Sequence, residues 1–415
     1  MSVLSELRMK PPEKVRWGWD ASVRARLVLA AVVISTLLIG ANLATPLYPL
    51  LQAELDITSF EVTVAFSAYV VTLVVGLLMV GHWSDHVGRR AALVLAIVIG
   101  FAGAGVFGAA SSLPMLVLGR CLQGASVALA TGASSAALRD LLPHRPDWAS
   151  RFTLLASAGG VAAGPVIGGL LSLLPDPTRT PFALYSLVLA ALLLPLLTLK
   201  ARPAIRAADA SSPFKALRPR RPVVSRAAGR AFWNASAVGF LSFAVFGFTL
   251  SLAPTYFASL AGTDFRPLIG LLAALVLGSS AVSQLMRVRG RHVVAVGLTA
   301  LGLGVALIPV AGALDSVALL VLACFLAGAG QGIAFRTVFN EVALQVEPSQ
   351  HSQIISTLYV LTYLGSAAPV VGLGAAVERW GLDRAVLGFA AVIAFASLLL
   401  ATVSLLRTLR SRPVD

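Results

Sequence analysis

The sequence predicts an all-α membrane protein of 12 transmembrane helices, arranged as two pseudo-symmetric six-helix bundles. Three observations point there. Only 12% of the 415 residues are charged while 58% are apolar, and the mean hydropathy is +0.87; a water-soluble chain carries about 25% charged residues. Separate stretches reach the roughly 20 mostly apolar residues that a spanning helix needs, and there are twelve of them. The basic residues alternate between dense and sparse on successive connecting segments, as topology signals do.

Residues 1–26 are polar and basic, with no short apolar core followed by a small-residue cleavage site, so the first span is expected to be its own targeting signal. The apolar runs follow at 27–51, 60–81, 91–110, 113–138, 150–174, 181–199, 232–257, 267–287, 293–312, 316–340, 352–376 and 384–406. Of the 32 Lys and Arg residues, 26 fall on the side of the N-terminus; four, Arg179, Arg266, Arg379 and Arg384, fall on the other. That asymmetry places both termini in the cytoplasm. The expected organisation is a cytoplasmic segment 1–26, a bundle 27–199, a cytoplasmic linker 200–231, a bundle 232–406 and a cytoplasmic tail 407–415. The linker holds nine basic residues and four prolines. It reads as a surface segment, or alternatively as an amphipathic helix lying on anionic lipid.

The two halves repeat. Val87-Gly88-Arg89-Arg90 after the second run answers Arg289-Gly290-Arg291-His292 after the eighth. Gln123-Gly124 answers Gln331-Gly332, and Pro165 answers Pro369. The matches fall in order at nearly one offset, on corresponding spans of like orientation.

Several function classes drop out. A net charge of +14 could suggest nucleic acid, but the charge is spread over short segments between apolar runs. Two cysteines, Cys121 and Cys324, make no disulfide scaffold. None of the four lysines follows a glycine, so there is no phosphate-binding loop for ATP. No His or Cys cluster has metal-ligand spacing. No Ser-His-Asp set lies at membrane depth, so neither an enzyme nor a metal or other cofactor is expected.

Four motifs carry the functional reading. Gly81-His82-Trp83-Ser84-Asp85-His86-Val87-Gly88-Arg89-Arg90 sets one acid among basic residues at the membrane face. Gly81 and Gly88 permit a tight turn, and Asp85 can pair with Arg89 or sit at a helix N-terminus. Arg120-Cys121-Leu122-Gln123-Gly124 buries an arginine inside the fourth span, which costs at least ~2.5 kcal/mol on insertion scales. Gly160-x-x-x-Gly164-Pro165-x-x-Gly168-Gly169 gives the fifth span a flat face for close packing and a proline that removes a backbone hydrogen bond. The first span holds Asn42-Leu-Ala-Thr45-Pro46-Leu-Tyr48-Pro49.

These motifs resemble the signatures of the major facilitator superfamily, in particular its 12-helix drug:proton antiporters, over roughly 27–406. The first departs from the family pattern by Trp83 for Leu and His86 for Arg; the third matches at all positions. The resemblance implies two bundles around a central cavity and alternating access. It implies a cytoplasmic latch of Gly81, Asp85, Gly88, Arg89 and Arg90, with Asp140 as second acid. Arg120, with Gln123 and Gly124, takes a place in proton coupling, and Gly160, Gly164, Pro165, Gly168 and Gly169 mark an antiporter. Bland readings stand beside these: an incidental acid in a positive-inside loop, an arginine bonding interhelical carbonyls, and glycines that only pack.

Every acid lies in a loop or near a helix end, and Asn42 stands where exporters of cationic drugs often carry an acid. A lipophilic cation needs a buried partner, so neutral, zwitterionic or anionic substrates are expected. Proton carriers are limited to Asp85, Asp140, Glu341, Glu54, Asp56 and Glu61, none of them central. Coupling then runs through Arg120 and substrate competition, or the protein is a uniporter. Cavity candidates are Asn42, Tyr48, Tyr69, Asn234, Phe246, Gln284, Gln331, Arg336, Asn340 and Tyr363. Arg336 lies nearer the cytoplasmic end and could instead extend to water. The expected partners are a small-molecule substrate, protons and the lipid bilayer, without nucleic acid, for a monomer in the plasma (inner) membrane. The expected function is proton-coupled efflux of small amphipathic compounds. The alternatives are import of a sugar, amino acid or organic acid, or a non-transporting sensor or assembly factor.

Overall fold

The computed structural model describes residues 3–9, 18–200, 217–218, 229–286, 288, 290–346 and 351–410. Among these, twelve helices are long and apolar enough to cross a membrane. They are α1 (Val23–Asn42), α2 (Ser59–Val80), α3 (Arg89–Gly108), α4 (Leu113–Leu141), α5 (Pro146–Leu171), α6 (Thr180–Thr198), α7 (Gly229–Ser251), α8 (Arg266–Leu285), α9 (Val293–Ala313), α10 (Val317–Gln345), α11 (His351–Trp380) and α12 (Leu382–Arg410). In hydrocarbon a helix is the one open element that satisfies every backbone group internally. Most of linker 200–231, the end of the tail and Arg289 lie outside the described residues.

Polar side chains close the exposed ends. Ser22 Oγ accepts from the Ala25 N–H at the start of α1, and Ser316 Oγ from the Leu319 N–H at the start of α10. Before α2, Thr58 and Glu61 cap each other reciprocally: Glu61 Oε2 accepts from the Thr58 N–H at 2.8 Å and Thr58 Oγ1 from the Glu61 N–H at 3.2 Å. Prolines open α4, α6 and α8 in their first turn, where no intrahelical donor is lost.

Two of the apolar runs are interrupted. After α1 the chain makes a 3-10 turn at Thr45–Leu47 and resumes as a helix at Tyr48–Leu55. After α7 it resumes at Ala253–Ala261. Pro46, Pro49 and Pro254 explain both breaks, because each lacks the N–H that an unbroken helix would use. The polar N-terminal segment also holds a short helix, Val3–Leu7.

The helices form two compact units. Unit 1 comprises residues 1–44, 71–164 and 171–220. Unit 2 comprises 45–70, 165–170 and 221–415, so it gathers α7–α12 with the C-terminal ends of the first and fifth spans and the N-terminal end of the second. Its core is built on Phe232, Phe248, Tyr256, Leu320, Cys324 and Val342, all buried.

Candidate functional site

Within unit 1, the ends of α2, α3, α4 and α6 meet on the face that carries the N-terminus. A methyl group on Gly132 of α4 would lie 2.5 Å from the Gly81 carbonyl oxygen, so this crossing has no room for a side chain. A single-turn helix, Ser84–Val87, follows. Gly88 then takes φ +94°, a conformation natural to glycine, and opens α3.

Arg89, the first residue of α3, reaches both acids of the motif. Its Nη1 lies 2.7 Å from Asp85 Oδ1, and its Nε donates to Asp140 Oδ2 at 2.9 Å; Ser84 Oγ accepts a further bond. Arg90 turns the other way. Its guanidinium bonds Glu6 of the N-terminal helix and the Leu199 carbonyl at the end of α6. Both partners of the Glu6–Arg90 pair are more than nine-tenths buried. Burial pushes the Glu6 carboxyl above its ordinary 4.5, against the pull of Arg90. A cavity of about 480 Å³ adjoins these groups, walled by Leu29, Leu93 and Leu196 and rimmed by Arg26, Arg89 and Arg139.

Deeper in unit 1, Arg120 is 2% exposed. Its Nη1 donates to the Ala41 carbonyl and, at 3.0 Å, to Gln123 Oε1; the guanidinium lies over the Phe107 ring, 5.0 Å from its centroid. The charge is thus held by a carbonyl, an amide and a π face, with no carboxylate among these contacts. Gly124 is buried on the same helix.

The glycines of α5 lie against α1. A methyl on Gly160 would sit 2.7 Å from the Ser35 carbonyl oxygen, and one on Gly164 2.7 Å from Asn42 Cβ. Ser35 Oγ donates to the Ala156 carbonyl across the same seam at 2.6 Å, and Asn42 Nδ2 donates to the Leu38 carbonyl at 2.8 Å. Pro165, Gly168 and Gly169 are buried, and a methyl on Gly169 would lie 2.7 Å from the Arg266 carbonyl within unit 2.

Unit 2 also joins the end of the first span and the start of the second to the later helices. Gln52 accepts from Thr255 Oγ1 at 3.0 Å and donates to Ser59 Oγ at 3.2 Å. The Phe60 N–H donates to Glu378 Oε1 at 3.2 Å.

The remaining cavity candidates separate into groups. Ser280 Oγ donates to Gln331 Oε1 and accepts from Gln284 Nε2, which ties those two glutamines together. Arg336 donates to the Gln284 and Met286 carbonyls at the end of α8. Phe246 and Tyr363 both contact Phe243, at 5.5 and 5.1 Å between ring centroids. Tyr48 and Tyr69 are buried. Among the described residues, no hydrogen bond or ring contact joins Asn234 or Asn340 to the other candidates.

Sequence reasoning missed Glu6, whose partner is set by tertiary contact, and Ser84, whose partner Arg89 lies only five residues away. It also missed Phe243, Phe335, Phe339 and Tyr359. Their spacing carried a signal: 335/339 and 359/363 are each one helical turn apart.

Comparison with known proteins gives the architecture a family. The model of the Major Facilitator Superfamily matches residues 30–369. Multidrug resistance protein 1 of Bacillus subtilis (strain 168) is 28% identical over 162 residues, 38% of this chain and 41% of that protein. Tetracycline resistance protein, class E, of Escherichia coli is 30% identical over 151 residues, 34% of this chain and 36% of that protein. The matched stretches thus span well under half the length of these curated relatives. A bacterial homolog to the human lysosomal transporter Spinster, in an inward-facing and unoccupied conformation, shares the fold: the TM-score is 0.74 at 14% identity, over 94% of this chain and 99% of that one. The chain belongs to the Major Facilitator Superfamily, and it is a multi-pass membrane transporter rather than an enzyme.

Proposed function

We propose that this transporter exports small amphipathic compounds in exchange for protons, by alternating access at the plasma membrane, with both termini in the cytoplasm. Neutral, zwitterionic or anionic compounds are favoured over permanent cations. The observation that carries this reading is Arg120: a guanidinium buried in α4 on the Ala41 carbonyl and Gln123, in a chain whose acids all lie at helix ends or in loops. A substrate anion, or the dipole of a neutral polar group, finds a fixed positive partner there; a cation would find none. Substrate and proton balance then meet at one charge, because an incoming anion competes with the carbonyl and amide that hold Arg120.

The other motifs take complementary roles. The Arg89 bridge to Asp85 and Asp140 latches the cytoplasmic face while the substrate site opens outward. The close α1–α5 seam through Gly160 and Gly164 supports the antiporter assignment, as do relatives whose names record drug and tetracycline resistance. Acids confined to helix ends and loops equally favour a second reading, an importer of a sugar, amino acid or organic acid.

Purified protein in liposomes separates the two. Under an imposed pH gradient and a panel of charged and neutral compounds, efflux coupled to proton entry is expected. Exchange that ignores the gradient, or movement inward only, rejects export.

A further inference from the structure

The C-terminal helices of unit 2 carry a closed circuit of aromatic rings. Phe243 of α7 contacts Phe335 of α10 at 5.6 Å between centroids, and Phe335 contacts Phe339 at 5.6 Å. Phe339 contacts Tyr359 of α11 at 5.3 Å, Tyr359 contacts Tyr363 at 6.2 Å, and Tyr363 returns to Phe243 at 5.1 Å, edge to face at 84°. Phe246 extends the circuit by one ring. Phe335 and Phe339 lie four residues apart on α10, as Tyr359 and Tyr363 do on α11, so each pair rises about 6 Å along its helix at 1.5 Å per residue.

Three features set this ladder apart from core packing. All its rings except Phe335 keep some accessible surface and are only partly buried, although they lie well inside long spans. The Tyr359 and Tyr363 hydroxyls have no hydrogen-bond partner among the described residues, in a region where an unmatched hydroxyl is costly. No cation lies over any of the rings among the described residues, and the neighbouring Arg336 is directed to the carbonyls that end α8.

We propose that this ladder is the subsite for a flat, uncharged aromatic ring of the transported compound, and that it makes the protein selective for aromatic over saturated compounds of the same size. Ring faces and edges at 5–6 Å present the offset and edge-to-face geometries that a planar guest adopts. A saturated guest gains only contact area. The two phenol hydroxyls supply the hydrogen bonds that orient a polar substituent on that ring. A permanent cation would use the same π faces, but among the described residues no carboxylate is in contact with these rings to complete its cage. The inference rests on the export reading above for the direction in which the compound moves.

The test is calorimetric titration of the full chain in lipid nanodiscs with 1-naphthaleneacetamide and with its decahydro counterpart, with empty nanodiscs as blank. The expected result is naphthyl binding tighter than decahydro binding by roughly three- to tenfold. Phe243→Leu and Phe339→Leu keep apolar bulk and should erase that ratio; Phe325→Leu, an exposed ring on α10 outside the ladder, should keep it. Decahydro affinity and thermal unfolding, unchanged in the variants, show that they fold. Equal binding of the two amides, or a ratio that survives both ladder substitutions, overturns the proposal. Flux in proteoliposomes keeps the two readings apart. Export that ignores the ring removes the ladder proposal alone. Ring-selective binding without any export removes the export reading alone.

Discussion

Arg89 and Asp140, 51 positions apart, meet at 2.9 Å between guanidinium Nε and carboxylate Oδ2, while the same guanidinium holds Asp85 at 2.7 Å. One cation thus ties the start of α3 to the end of α4 and to the loop before it. Half-buried pairs of this kind are worth about 0–1 kcal/mol in stability. A latch of about 1 kcal/mol still shifts a two-state equilibrium about fivefold. Asp140→Asn and Asp85→Asn should therefore slow export several-fold with little change in thermal unfolding. The double variant should lose less than the two losses combined, since both act through Arg89. Wild-type flux from Asp140→Asn would remove the latch.

Arg120 separates function from stability. Its hydrogen bonds, made by a charged donor, contribute about 1.5–3 kcal/mol each, against an insertion cost of about 2.5–3.5 kcal/mol for the charge. The balance is close, so Arg120→Met should unfold near the wild-type temperature yet lose gradient-driven export. Arg120→Lys should not rescue it, since an ammonium cannot reproduce the guanidinium fork and its stacking on Phe107. Retained coupled export in Arg120→Met would refute the assigned role.

Neighbouring glycines in α5 give a steric test. A methyl on Gly160 meets the Ser35 carbonyl at 2.7 Å, whereas one on Gly159 meets nothing within 4 Å. Gly160→Ala should destabilise by about 1–3 kcal/mol, the usual cost of overpacking. Gly159→Ala should be neutral in thermal unfolding of the purified protein. Equal behaviour of the two would show that the α1–α5 seam yields.

The Glu6 carboxyl gives a pH dependence. Docked, it holds its proton more tightly than the ordinary 4.5 of a released glutamate. Docking of the Val3–Leu7 helix therefore strengthens as pH falls through the raised value, is fully strengthened below 4.5, and weakens as pH rises. Hydrogen exchange of amides 3–9, corrected for intrinsic rates, should show more protection at pH 5 than at pH 8. Glu6→Gln should flatten the profile. Protection that grows with pH would show that the Arg90 attraction dominates instead.

The spans were legible in sequence because hydrocarbon thickness and hydropathy fix helix length. Arg89 with Asp85 was equally so, being one helical turn apart in a Gly-bounded loop. Asp140 came from the family resemblance, which implied a second acid for the latch. Glu6 was hidden: nothing local distinguishes an acid in a basic segment from one that will be buried 84 positions away. The prolines at 46, 49 and 254 were visible, but the breaks they cause were absorbed into continuous apolar runs. The aromatic ladder was half-legible. Helical spacing pairs Phe335 with Phe339 and Tyr359 with Tyr363, but only the packing of α7, α10 and α11 closes the circuit.

The buried Glu6–Arg90 contact also bears on how the protein should be handled. An affinity tag or fluorescent fusion placed just upstream of Val3 would crowd a carboxylate that has almost no freedom to shift, and the disturbance would be felt at the base of α3. A label attached elsewhere than at the amino terminus adds no bulk to the Val3–Leu7 helix itself, so it is the better choice for expression and assay work.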